Sequence, residues 1–198
     1  MNGQVQPVLQ QKEVVYINYF DGIDMDRVRM LMGVCTQVLG QFKPKTLYFL
    51  FASPGGQVNA GIALYNFLKA IPPKIVMHNM SSIDSIGTVV FLAGDERYAS
   101  PNTTFLFHGV EMQFPQRTAV NLSKIGEIKS SLAEDQNKIA GIIADNTSIS
   151  KDEIQELFAQ GESKSLNFAK DKGFITEVKS IKLAPEDILI NIAFQNKT

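Results

Sequence analysis

Several things are scarce in this chain. Its 198 residues hold one cysteine, two histidines and no tryptophan. A single thiol, Cys35, excludes an internal disulfide. It sits among Val28, Leu31, Met32, Val38 and Leu39 at helical spacing and reads as core filler. No long run of one charge occurs: 19 basic against 20 acidic residues leave a net charge of -1. That balance gives no electrostatic footprint for nucleic acid or an anionic membrane. No apolar run approaches the roughly 20 residues of a membrane span. The N-terminal stretch MNGQVQPVLQQK lacks the charged-then-apolar pattern of a signal peptide. A cytoplasmic protein is expected, without cofactor or metal.

What is present suffices for a real core, since 44% of the residues are apolar. One domain over residues 1–198 is expected, loose only at 1–11 and 195–198. Glu13 to Tyr19 reads as a strand, and the spacing from about Asp24 to Phe42 predicts a helix with acidic residues in its first turn. Thr46 to Ala52 is continuously apolar or aromatic, as in a strand covered on both faces. A helix after Gly56 runs to Pro72-Pro73, and Ile75 to Met80 is a third buried strand. Ser81 to Ser85 reads as a turn, Ile86 to Ala93 as a helix apolar all round, and Asp95 to Asn102 as a polar turn. The strand TTFLFHGV follows. This alternation predicts an α/β fold.

From about Ala119 to Asn146 one apolar stripe (Ile125, Ile128, Leu132, Ile139, Ile142, Ile143) marks a long helix, read as an arm projecting from the core. Ser150 and Glu153 have capping-box spacing at the start of another helix, and a last one ends at Gly173.

Three places could carry chemistry. In Ser53-Pro54-Gly55-Gly56 the paired glycines form a tight turn, a phosphate cradle or an oxyanion hole, because no Cβ blocks their N–H groups. They fit neither common nucleotide-binding pattern. Ser85, in Asp84-Ser85-Ile86-Gly87, is a helix N-cap or an exposed nucleophile. His108 closes a hydrophobic strand and is a core residue or a base, whereas His78, inside an apolar strand, takes the structural role. A serine, a histidine and backbone donors together are a kit for acyl transfer.

In order and spacing, Ser53-Pro54-Gly55-Gly56, Asp84-Ser85-Ile86-Gly87 and Pro101 to His108 resemble the proteolytic subunit of the Clp protease, with similarity from about residue 13 to 178. The resemblance implies stacked ββα units of the crotonase-like kind, with a handle at about 119–160 that interlocks subunits. It implies a serine endopeptidase acting on peptides or unfolded proteins inside a homo-oligomeric ring. Ser85 would attack the scissile carbonyl, His108 would take its proton, and the N–H groups of Gly56 and Ile86 would hold the oxyanion.

Three departures stand out. Gly161 occupies the position of the family's third triad member, an aspartate, and the neighbouring Glu162 is the candidate substitute. Asp84 replaces a small neutral residue; it would disfavour a nearby oxyanion unless it points away, and it is a weaker candidate to orient His108. The family's N-terminal segment that forms the axial gate and docks the unfoldase ring is not recognisable, which weakens the expectation of an ATP-dependent unfoldase as partner. Two alternatives follow: a catalytically lapsed subunit with a structural or peptide-binding role, or a crotonase-like enzyme acting on acyl thioesters.

Overall fold

The structure, a computed structural model, describes residues 12–114 and 119–192. The ends read as loose, 1–11 and 195–198, lie outside the described residues. Three parallel strands, β1 (Val14–Phe20), β2 (Thr46–Ser53) and β3 (Lys74–Asp84), form the centre of an eight-stranded sheet. Helices α1 (Met25–Phe42) and α2 (Val58–Ala70) are the crossovers that parallel pairing demands. Their buried faces, Val28, Leu31, Cys35 and Val38 on α1 and Ala60, Leu64 and Leu68 on α2, join Ile17, Phe49 and Met77 of the sheet in one core. Cys35 belongs to that core, and burial pushes its thiol up to about 12.

The first crossover starts where the sequence places it. Asp24 is the N-cap of α1 and accepts from the N–H of Arg27 at 2.8 Å. Two expectations fail nearby. The predicted turn at Ser81 to Ser85 is the continuation of β3, because Ser82, Ile83 and Asp84 pair in parallel with β5 (Thr104–Leu106). The predicted polar turn Asp95 to Asn102 contains β4 (Glu96–Ala99), paired with the first half of β3 at Val76 to Asn79. In both, a long-range partner supplies the hydrogen bonds that weak local strand propensity does not signal. Strand β3 therefore forks, with β4 on its first half and β5 on its second. Helix α3 (Ile86–Phe91) follows directly and is buried at every residue.

The long helix exists as α4 (Leu122–Asn146), buried only at Ile139, Ala140 and Ile143. Its first half stands out from the core, leaving Leu122 87% and Ile125 52% exposed. Helix α5 (Lys151–Gln160) begins at Ser150, which accepts from the N–H of Glu153 at 3.2 Å. The reciprocal half of the capping box gives way to an ion pair of Glu153 with Lys172 at 2.6 Å. Strand β6 (Ser163–Lys164) runs antiparallel to β5. Helix α6 (Leu166–Asp171) then brings Phe174 against Phe91, Phe105 and Phe107, with ring centroids 5.0 to 5.7 Å apart. Short strands β7 (Glu177–Val178) and β8 (Leu189–Asn191) pair with β4 and β1.

Candidate active site

Two strand-to-helix junctions meet at one end of the sheet. After β2 the chain turns through Gly55 (φ 87°) and Gly56 (φ 149°), a region that side chains disfavour. Close approach is the second reason for glycine. A Cβ on Gly56 would lie 2.1 Å from the carbonyl oxygen of Ile23, and one on Gly55 would lie 2.6 Å from Cβ of Ser85. The segment is wedged between the end of the β1–α1 loop, whose Ile23 N–H donates to Gly55 at 2.8 Å, and the turn carrying Ser85.

Ser85 links β3 to α3 with φ 56° and ψ -131°. A non-glycine residue held there stores on the order of 1–3 kcal/mol of strain, and the strand-to-helix turn that thrusts a nucleophile outward is built this way. Both of its backbone groups are pinned. Its N–H donates to Leu106 at 2.9 Å, and its carbonyl accepts from the N–H and the hydroxyl of Thr88 at 3.0 and 2.6 Å. Ser85 occupies the N-cap position of α3, yet its hydroxyl makes no capping hydrogen bond.

His108 enters from the end of β5. Phe107 before it is buried in the aromatic cluster, whereas His108 is half-buried. Its Nδ1 lies 2.8 Å from the carbonyl of Gly109, an acceptor only, which assigns the proton of the neutral ring to Nδ1 and the lone pair to Nε2. Gly109 in turn donates its N–H to Phe158 at 3.2 Å, docking this segment on α5.

Ser85, His108, Gly56 and Ile86 all line one cavity of about 640 Å³. Ile86 is the first residue of α3, where N–H groups lack intrahelical acceptors. Among the described residues no hydrogen bond joins the Ser85 hydroxyl to the His108 ring. Such contacts often tighten only when substrate is bound.

Glu162 is not brought to this group. It does not line the cavity, and its carboxylate, 67% exposed, pairs with Lys164 at 3.2 Å. In this geometry the carboxylate expected beside His108 stands apart from it, paired with Lys164. Gly161, at φ 62°, caps the C-terminus of α5 with its N–H on Leu157. The position is thus taken by a left-handed helix stop. Asp84 ends β3 opposite Leu106 and does not line the cavity. Burial pushes its carboxyl up, while a hydrogen bond from Ser82 at 3.3 Å and the proximity of His108 act the other way.

His78 has the structural role read for it. The ring is buried, Nε2 donates to the carbonyl of Lys179 at 3.1 Å, and Nδ1 accepts from the hydroxyl of Tyr48 at 2.8 Å. Burial pushes it down to about 4. The cavity also has a wall that sequence reasoning missed, formed by Leu132, Asp135 and Ile139 of α4 with Phe158 of α5. The signal was a polar residue at position 135, between two members of the apolar stripe seven residues apart. Among the described residues no cluster of His, Cys, Asp and Glu could hold a metal ion.

The family model described as Clp protease matches residues 24–182. An ATP-dependent Clp protease proteolytic subunit 2 of Pseudomonas aeruginosa is 34% identical over 73 residues, 36% of each chain. That match spans only about a third of the Pseudomonas protein. An ATP-dependent Clp protease proteolytic subunit of Lactococcus lactis subsp. cremoris is 25% identical over 170 residues, covering 77% of this chain and 83% of the other. A proteolytic subunit 1 of Leifsonia xyli subsp. xyli is 28% identical over 146 residues, 70% of each.

Proposed function

The chain belongs to the Clp protease family, and from that premise we propose that it is a serine endopeptidase acting on peptides or unfolded proteins through Ser85 and His108. The strained backbone of Ser85, which lines the cavity it shares with His108 and leaves its hydroxyl free of capping, carries this reading. In the proposed reaction Nε2 of His108 takes the proton of Ser85 as Oγ attacks the scissile carbonyl. The N–H groups of Gly56 and Ile86 hold the oxyanion. His108 then protonates the leaving amine, and water hydrolyses the acyl-enzyme by the same route in reverse.

The carbonyl of Gly109 fixes the productive tautomer of His108, as a triad carboxylate does. Being neutral, it stabilises the imidazolium less. Removal of a triad carboxylate lowers turnover by on the order of 10⁴, so a slow peptidase is expected. Glu162 remains the reserve candidate for a carboxylate, which would require the 161–164 turn to move and Lys164 to give up its partner.

The reading extends to one domain over residues 1–198, crotonase-like in its stacking, and to a homo-oligomeric ring. The exposed apolar residues Leu122 and Ile125 on α4 support association, since such a patch is rarely left wet. A stable monomer in sedimentation would remove that part. Cytoplasmic location is part of the same proposal, and among the described residues no helix is long and apolar enough to cross a membrane. For an ATP-dependent unfoldase the support is the wording of the relatives' names.

The deciding experiment is labelling of the assembled protein by a fluorophosphonate probe, beside Ser85→Ala and Glu162→Gln. Labelling of the native protein that disappears in Ser85→Ala is expected. A native protein that does not label would overturn the peptidase reading in favour of a lapsed subunit. The missing Ser85–His108 hydrogen bond and the exposed Glu162 are what favour that second reading.

A further inference from the structure

Resting on the peptidase reading, we propose that the cavity selects substrates with a lysine or arginine at the residue whose carbonyl Ser85 attacks, and that Asp135 determines this preference. Four residues of α4 and α5, Leu132, Asp135, Ile139 and Phe158, line the cavity shared with Ser85 and His108. Three are apolar and one is a carboxylate. On α4 the neighbouring Glu134 and Asn137 are exposed, whereas the Asp135 side chain is only 16% exposed. This wall stands against the residue that follows the proposed base. Gly109 donates to Phe158, and a Cβ on Gly109 would lie 3.4 Å from the side-chain oxygen of Gln136, the residue next to Asp135.

Among the described residues the charge of the lining is one-sided: two carboxylates, Glu111 and Asp135, and neither a lysine nor an arginine. A purely apolar occupant would drive water from the Asp135 carboxylate and leave it to the Lys138 ion pair alone, which is costly. A basic side chain instead lays its methylene stem on Leu132, Ile139 and Phe158 and presents its cationic head to Asp135. Lys138 pairs with Asp135 at 3.3 Å, but its side chain is 44% exposed and its ammonium lies 4.0 Å from Glu134 as well. A pair between neighbours on one helix whose lysine stays in water and is shared with Glu134 contributes about 1 kcal/mol or less, so it is a weak competitor. Specificity arises here from repulsion of the wrong occupant as much as from attraction of the right one.

The test uses the full-length protein and two peptidyl diphenyl phosphonates identical except for lysine or leucine at the reacting position, with the rate of Ser85 modification as readout. The lysine probe should react about 10-fold faster or more, a preference that shrinks as salt is raised. In Asp135→Asn the lysine-to-leucine ratio should fall towards one, and in Lys138→Ala it should rise. A wild-type protein that labels with fluorophosphonate yet reacts with the leucine probe as fast as with the lysine probe overturns the preference and leaves the peptidase reading standing. If fluorophosphonate itself does not label, the peptidase reading fails and the preference with it. The wild-type ratio decides even if Asp135→Asn fails to fold.

Discussion

His78 and His108 lie on or just past paired strands, β3 and β5, and meet opposite surroundings. Around His78 the molecule is closed: both ring nitrogens have partners and the ring is shut from water. Around His108 it is open: one nitrogen is held by the next residue's carbonyl, and the ring lines a cavity. The two residues look alike in the sequence, each in or after an apolar strand. What separates structure from chemistry is the hydrogen-bonding capacity left over after folding, a quantity that depends on Lys179, Tyr48 and Gly109 rather than on the strand itself.

The comparison breaks most visibly if the two histidines are exchanged in importance. His108→Gln should slow fluorophosphonate labelling by at least about 10³-fold with little change in thermal unfolding, whereas His78→Gln should label but unfold earlier. Equal losses of labelling in both variants would erase the distinction. Next in size is Gly56→Ala, whose Cβ would strike the Ile23 carbonyl at 2.1 Å. Its urea midpoint should drop by the equivalent of about 2 kcal/mol or more, the penalty of forcing a side chain into an incompatible backbone.

A pH effect sharpens the comparison further. The folded protein holds His78 at about 4, below its ordinary 6.5. The unfolded chain therefore takes up the proton first as pH falls. The contribution of neutral His78 is fully present above 6.5 and is lost progressively towards about 4. Urea unfolding at pH 7 and pH 4.5 should show an acid loss on the order of 2 kcal/mol greater in the native protein than in His78→Gln. Smaller still, Ser85→Gly should relieve the positive φ and raise stability by about 1 kcal/mol while abolishing labelling. Smallest is Glu162→Gln, expected to alter the labelling rate less than about twofold, because its carboxylate sits in water beside Lys164. A large slowing there would mean that the 161–164 turn rearranges.

Much of this was legible in the chain. Continuous apolar runs marked β2 and the start of β3, and Asp24 and Ser150 marked helix starts through side chains that cap within three residues. Ser85, His108, Gly56 and Ile86 could be picked out because each sits at a junction with a local signature. Strand β4 could not, since Glu-Arg-Tyr-Ala has no strand pattern and its ladder is supplied by β3, twenty residues earlier. Asp135 escaped for a similar reason: a lone acid on a polar helix is ordinary until the chain folds Phe158 and Gly109 against it.

The fork in β3 has one more consequence. The second half of that strand carries Asp84 opposite Leu106, and the N–H of Ser85 closes on the carbonyl of Leu106 at 2.9 Å. One rung of backbone thus sets the separation of residue 85 from residue 108, independently of the longer ladder between β3 and β2. Because neighbouring residues of a strand face opposite sides, a slip of β5 by a single residue would turn its faces over and displace the His108 imidazole that follows it. The alignment works like a vernier with one productive setting, and the Phe107 ring, edge-on to Phe174 in the buried aromatic cluster, is the detent that holds it there.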